Sequence, residues 1–417
     1  MPQSASGFSK SGLSRLHDVL ARHVESAKIP GLVALVGRGE ETHVEVLGTM
    51  RHDGGEAMSR DGGEAMSRDT LFRMASTSKP VAMAGAMVLL DECRLRLDDP
   101  VDEWLPELAD RQVLKRFDGP LDETEPARRP ITVRDLLSST FGLGMDMTSI
   151  GTPVMNEVFA QGLTPNLPTP MPEPDEFMRR LGTLPLMHQP GERWQYQISH
   201  DVVGVLVSRV AGQSYGDFLR ERIFEPLGMK DTGFYVPADQ IHRLPPLYAP
   251  DPQSGDFHAW DEPEGGRWCS PPAFEGGGGG LVSTADDYNA YFRMLLNGGV
   301  HNGSRILSRA AVTLMTSNQL DASQLAARTK LAKDAVHISF GQGQQGGWGF
   351  GMAVRTYVGD YAPIGQFGWD GGSGTSSYAD PVNGVVGVLC TQVGASAPYG
   401  IQLMLDFWTT LYQALED

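Results

Sequence analysis

The sequence predicts an α/β fold of the α+β type, in which a central antiparallel sheet is flanked by helices and joined to a second, helical and loop-rich lobe. Three observations predict it. Strand patterns cluster near the N-terminus and again from Trp348 on, the residues between read as helices separated by Pro-rich segments, and helical patterns open and close the chain. One sheet is therefore expected from residues 1–90 and 281–417, with residues 91–280 as the second lobe and the active site between them.

Each element has its own signal. Residues 12–27 set Leu13, Leu16, Val19, Leu20, His23 and Val24 at helical spacing. Leu32-Val33-Ala34-Leu35-Val36-Gly37 and His43-Val44-Glu45-Val46-Leu47-Gly48 are rich in β-branched residues and flank a polar Gly-Glu turn, the pattern of an antiparallel hairpin. An identical tandem octapeptide follows, Asp53-Gly54-Gly55-Glu56-Ala57-Met58-Ser59-Arg60 repeated at 61–68. Two copies are too few for a solenoid, and a polar surface loop tolerates such an insertion, since doubling a loop costs only about 0.6 kcal/mol. Thr70-Leu71-Phe72-Arg73 reads as a strand leading into a helix, whose run from Val81 to Leu90 is almost wholly apolar and so buried on all sides. From residue 91 to 275 helices alternate with Pro-rich stretches, the most irregular carrying Pro165, Pro168, Pro170, Pro172 and Pro174. After the five glycines at 276–280, Ser283-Thr284-Ala285-Asp286-Asp287 supplies an N-cap and an acidic first turn, and Asn297-Gly298-Gly299 a stop. Residues 348–354, 376–379 and 385–389 read as strands, and residues 401–415 as a closing helix.

Composition narrows the function. The 417 residues are 41% hydrophobic and 20% charged, ordinary for a soluble globular protein, and a formal charge of −17 argues against nucleic-acid or anionic-membrane partners. Cys93, Cys269 and Cys390 lie far apart in no C-x-x-C, and the ten histidines show no ligand spacing, so neither a disulfide framework nor a metal site is expected. The N-terminus lacks an apolar secretion signal and no run reaches the ~18 apolar residues of a membrane span. A cytoplasmic enzyme without cofactor is the expectation; the oligomeric state is not readable.

The chemistry centres on Ser76-Thr77-Ser78-Lys79, the one S-x-x-K in a chain with seven lysines. Residues three apart share a helix face, so the Lys79 amine can reach the Ser76 hydroxyl and supply the base a serine nucleophile needs. Two further motifs stand at suitable places. Tyr196 lies in a turn directly before a helix at 201–210, and Phe367-Gly368-Trp369-Asp370-Gly371-Gly372-Ser373-Gly374 is a glycine-rich strand whose backbone can approach a substrate closely.

With these motifs, and with Ile131-Thr132-Val133-Arg134-Asp135-Leu136-Leu137-Ser138-Ser139-Thr140-Phe141-Gly142-Leu143 and Glu225-Pro226-Leu227-Gly228-Met229, the chain resembles the serine β-lactamase and penicillin-binding-protein superfamily over nearly its whole length. Within it the family VIII carboxylesterases are most similar. The resemblance implies Ser76 as nucleophile, Lys79 as its base partner and Tyr196 as the hydroxyl that passes a proton to the leaving group. It also implies an oxyanion hole from the N–H groups of Ser76 and Gly372. Whether Lys79 or Tyr196 is the base stays open, since a coupled pair can share the proton.

Two departures bear on the substrate. Where β-lactamases carry Y-x-N the chain has Tyr196-Gln197-Ile198, and where they carry K-T-G it has Trp369-Asp370-Gly371. An indole cannot pair with a substrate carboxylate as the lysine does. Trp369, Asp370, Gly371, Ile198 and Phe141 are thus expected to line a pocket for a neutral small-molecule ester with a small acyl group. A β-lactamase, a D-amino-acid peptidase and a catalytically silent scaffold are the alternatives. Gly212-Gln213-Ser214-Tyr215-Gly216 matches a nucleophile elbow, but a helix precedes it where a strand is required, so Ser214 is expected to cap a helix. Gly341-Gln342-Gly343-Gln344-Gln345-Gly346 matches a dinucleotide fingerprint without the following helix and reads as a loop.

Overall fold

A computed structural model describes residues 7–26, 28–52, 64–145, 149–165, 170–251, 257–326, 328, 346–395 and 398–416. The first helix, α1 (Lys10–Glu25), starts where the Ser9 hydroxyl accepts the Gly12 N–H. Then β1 (Gly31–Arg38) and β2 (Glu41–Gly48) form the expected hairpin, with Leu35 opposite Val44.

β1 is the keystone of the sheet because both of its faces are apolar. Val33 and Leu35 enter the main core, whereas Leu32, Ala34 and Val36 enter a second core, the period-2 alternation of a strand buried on both sides. Each of these valines and leucines contributes about 1.5–3 kcal/mol on burial. After the two-residue β3 (Phe72–Arg73) comes α2 (Ser78–Asp91), whose residues are buried from Ser78 through Leu89.

The middle of the chain holds more strand than the sequence suggested. β4 (Gln112–Leu114) pairs with β5 (Thr124–Pro126) ahead of α3 (Val133–Leu137), α4 (Pro153–Ala160), α5 (Pro174–Thr183), α6 (Ile198–Ala211), α7 (Tyr215–Leu219) and α8 (Glu225–Leu227). A second hairpin joins β6 (Leu247–Pro250) to β7 (Phe257–Asp261). These strands are three to five residues long and two end in proline, so neither periodicity nor propensity marks them.

β8 (Val282–Ser283) leads to α9 (Ala285–Leu296), capped by Thr284 as expected. Next come the short β9 (Val300–His301) and β10 (Ser304–Arg305), then α10 (Arg309–Met315). Residues 348–354, expected as one strand, are instead a tight hairpin of β11 (Gly347–Trp348) and β12 (Ala353–Val354). The cause is Gly351 at φ +77, where a Cβ would stand 2.4 Å from Met83 Cγ and 2.8 Å from the Lys79 carbonyl oxygen, so the turn rests directly on α2. β13 (Phe367–Gly371), β14 (Thr375–Asp380) and β15 (Val385–Thr391) complete a seven-stranded antiparallel sheet in the order β11-β12-β13-β14-β15-β1-β2.

The closing helix α11 (Pro398–Gln413) packs with α1 over one face of the sheet, and α9 covers the other. The Tyr288 and Tyr291 hydroxyls of α9 donate to the Thr77 and Pro80 carbonyls at 3.2 and 2.7 Å, which ties the start of α2 to the sheet layer. No described helix is long and apolar enough to cross a membrane. The first octapeptide copy lies outside the described residues. The end of the second does not: Met66 is buried beside Met50, and Arg68 pairs with Asp286 at 2.8 Å.

Candidate active site

Between β3 and α2 the chain makes a sharp turn that presents Ser76. β3 pairs with β8, and Arg73 is fixed by its Nε donating to Asp261 Oδ2 at 2.7 Å in the interior. Ala75 then adopts φ +46 and residues 75–77 form one 3₁₀ turn, so Ser76 stands just before α2, two residues ahead of its first residue. A left-handed alanine costs roughly 1–2 kcal/mol, and it persists only where the surroundings hold it. The Thr77 and Thr375 hydroxyls both donate to the Met74 carbonyl, at 2.7 and 2.9 Å, and tie the turn to β14.

Ser76 is half-buried and Lys79 fully buried. Lys79 Nζ donates to Ser76 Oγ at 2.9 Å, to Gln197 Oε1 at 2.7 Å and to the Gly278 carbonyl. Burial pushes this amine down from 10.5 to about 7, against the opposing pull of the Asp201 carboxylate. A lysine that is neutral near pH 7 and within hydrogen-bond distance of a hydroxyl can take its proton.

Tyr196 reaches the same point from the turn that leads into α6. Its backbone pairs with Met145 through bonds of 2.7 and 2.9 Å, and its ring centre lies 4.5 Å from Lys79 Nζ. The Tyr196 hydroxyl accepts from Trp369 Nε1 at 2.7 Å. Burial raises its pKa above the usual phenol range, so it is protonated at neutral pH. On β13, Gly371 packs onto the Ser76 turn, its ideal Cβ 2.5 Å from the Met74 oxygen, while Gly372 is exposed and a Cβ there would meet nothing within 4 Å. The structure thus brings Ser76, Lys79, Tyr196, Trp369 and Gly371 together, with Gly372 the next residue after Gly371.

Three expected pocket residues lie elsewhere. Ile198 is 0% exposed and Phe141 1% exposed, both inside the main core. Asp370 is buried and accepts from Ser376 Oγ at 2.6 Å and from Tyr378 OH at 2.9 Å, and Trp408 Nε1 extends the chain of bonds to Ser376. Consecutive residues of a strand point to opposite faces, so Trp369 at the site places Asp370 away from it. Ile198 is the first residue of α6 and turns inward with that helix.

Sequence reasoning missed Gln197, Asp201 and Gly278. Gln197 has φ +81, a strained geometry for a side chain that costs on the order of 1–3 kcal/mol. Its amide is held at both ends, Oε1 by Lys79 and Nε2 by Asp201 Oδ2 at 3.3 Å. Asp201 Oδ1 accepts the Gly278 N–H at 2.8 Å. A Cβ on Gly278 would lie 2.2 Å from Gln197 Nε2 and would displace that amide. The available signal was a lone acid in the apolar run of α6 and an unexplained row of glycines. Ser214 accepts the Asp217 N–H and caps α7, as expected for a bystander.

Known proteins resemble this chain over most of its length. The family model described as Beta-lactamase matches residues 16–404. Protein Rv1367c of Mycobacterium tuberculosis (strain ATCC 25618 / H37Rv) is 40% identical over 368 residues, covering 86% of this chain and 84% of its own. Esterase EstB of Burkholderia gladioli is 30% identical over 287 residues, covering 66% and 67%. Among solved structures, EstCE1, a hydrolase with promiscuous acyltransferase activity, superposes with a TM-score of 0.77 at 26% identity over 97% of this chain and 99% of that one. Sheet and similarity agree: the chain belongs to the β-lactamase family, a family of serine hydrolases and acyltransferases.

Proposed function

We propose that the protein is a serine carboxylesterase that cleaves neutral esters with small acyl groups through an acyl-enzyme on Ser76. The observation that carries this reading is the buried Lys79 amine, poised near neutrality, 2.9 Å from a half-buried Ser76 hydroxyl. Neutral Lys79 takes the hydroxyl proton as Ser76 Oγ attacks the ester carbonyl. The N–H groups of Ser76 and Gly372 meet the oxyanion, and loss of one such donor typically lowers the rate ~10²–10³-fold. Tyr196, a phenol at neutral pH, delivers a proton to the departing alkoxide, and the proton on Lys79 replaces it. Water then enters, and the same groups run in reverse to free the acid and regenerate Ser76.

The choice of ester over β-lactam rests on Trp369. Its one N–H is committed to the Tyr196 hydroxyl, so the position supplies no cation where a carboxylate-bearing substrate needs one. Similarity to the esterase EstB favours ester hydrolysis, and the promiscuous acyltransferase activity of EstCE1 favours transfer of the same acyl group to an alcohol as a second outcome. The test compares turnover of a chromogenic acetyl or butyryl ester with that of a chromogenic cephalosporin. Faster ester turnover that disappears in Ser76→Ala is expected; preference for the cephalosporin contradicts the esterase reading.

A further inference from the structure

We propose that Asp201 is a positioning residue for Lys79: through Gln197 and Gly278 it fixes two of the acceptors that aim the amine at Ser76, and its buried charge helps to hold a proton there. The inference rests on the proposed role of Ser76 and Lys79.

The geometry is a closed ring of contacts. Asp201 Oδ2 accepts from Gln197 Nε2 at 3.3 Å while Gln197 Oε1 accepts from Lys79 at 2.7 Å, so the carboxylate sets which way the amide faces. Were the amide flipped, its NH₂ would confront the ammonium. Asp201 Oδ1 takes the Gly278 N–H at 2.8 Å, and the carbonyl of that same glycine accepts from Lys79. Gln197 keeps its left-handed backbone in this arrangement, and a Cβ on Gly278 would push against the Gln197 amide and the Asp201 carboxylate. Asp201 itself is 0% exposed. A buried carboxylate without a structural or electrostatic task would be replaced by an apolar residue at little loss.

The electrostatics single out the pair. Burial pushes Asp201 up to about 6, with Gly278, Lys79 and Gln197 pulling it down, and Asp201 in turn raises Lys79 against its own burial. The other ionisable groups around the pair are Tyr196, Tyr215 and His200. Both tyrosines are raised by burial and His200 is held well below its usual value by burial and the Lys79 charge, so all three are neutral where the enzyme would work. Asp370 acts on Tyr196 and is not among the charges that move Lys79. Removal of the Asp201 charge therefore lowers the pH at which Lys79 becomes neutral, and a carboxylate at position 197 raises it.

The experiment measures the rate at which Ser76 is labelled by an alkyl fluorophosphonate, read by mass spectrometry of the Ser76 peptide from about pH 5 to 9, in wild type, Asp201→Asn and Gln197→Glu. The acid limb is expected near pH 7 in wild type. It should move down by about one unit in Asp201→Asn and up by about half a unit or more in Gln197→Glu. A purely structural role for Asp201 would lower the rate equally at every pH, and an unmoved or upward-moving limb in Asp201→Asn overturns the proposal. If Asp201→Asn does not fold by circular dichroism, Gln197→Glu decides alone, an unmoved or lowered limb counting against. Failure of the wild type to label at Ser76 overturns the underlying catalytic reading instead.

Discussion

Asp201 and Asp370 are both buried carboxylates near Tyr196, yet their surroundings give them different tasks. Asp201 meets a backbone N–H, an amide and the charge of Lys79, whereas Asp370 meets the hydroxyls of Ser376 and Tyr378 on the far side of β13. Burial raises both, to about 6 for Asp201 and about 7 for Asp370. A buried acid takes its function from what it faces, and an adjacent motif residue is no guide to that. Asp370 follows Trp369 in the sequence but is a strut of the sheet; Asp201 lies five residues beyond Tyr196 and contacts the machinery.

Variants that break this contrast range from large to small effects. Ser76→Ala should lower ester turnover by at least ~10³-fold, as removal of a nucleophile does in other serine hydrolases. Lys79→Met should lower it ~10²–10⁴-fold, the usual worth of a positioned base, with the fold retained because an apolar chain replaces a desolvated amine. In wild type, kcat/KM should rise as pH passes through about 7, since the amine is protonated and inactive below that value and neutral above it. Trp369→Phe removes the Nε1–H bond to Tyr196 and should cost about 3–10-fold in kcat, in line with ~0.5–1.5 kcal/mol for one hydrogen bond.

Asp370→Asn should act on stability and leave the acid limb of the rate in place. Its folded pKa of about 7 lies above the ordinary aspartate value of 3.8, so the folded state binds the extra proton and wild-type stability falls as pH rises through that window. The variant should flatten that slope in thermal melts at several pH values. Ser214→Ala should keep turnover and lose only about 1 kcal/mol of stability, the worth of a helix cap.

The same contrast explains what the sequence made legible. The α1 helix was readable from the helical spacing of its apolar residues, the β1–β2 hairpin from its β-branched runs about a polar turn, α2 from its apolar run, and α9 from its cap and stop. Ser76, Lys79, Tyr196 and Trp369 were readable because they stand in spaced motifs, and the structure draws them to one point. The alternation that turns Asp370 away from Trp369 was available in principle but yielded to the pull of the motif. Gln197 and Asp201 were not marked, since their importance arises from a left-handed backbone and from a glycine contributed some eighty residues later. The hairpin at 347–354 was hidden for the same kind of reason: its turn is dictated by contact with α2, which no local pattern records.

The central claim is that Ser76 carries the acyl group. Acid-quenching the wild-type enzyme during turnover of a chromogenic acetyl ester, followed by peptide mass mapping, tests it directly. One acetyl group on the Ser76 peptide, absent from Ser76→Ala together with turnover, is the predicted result. Acetyl on Ser214 or another residue, or full turnover by Ser76→Ala, would contradict it.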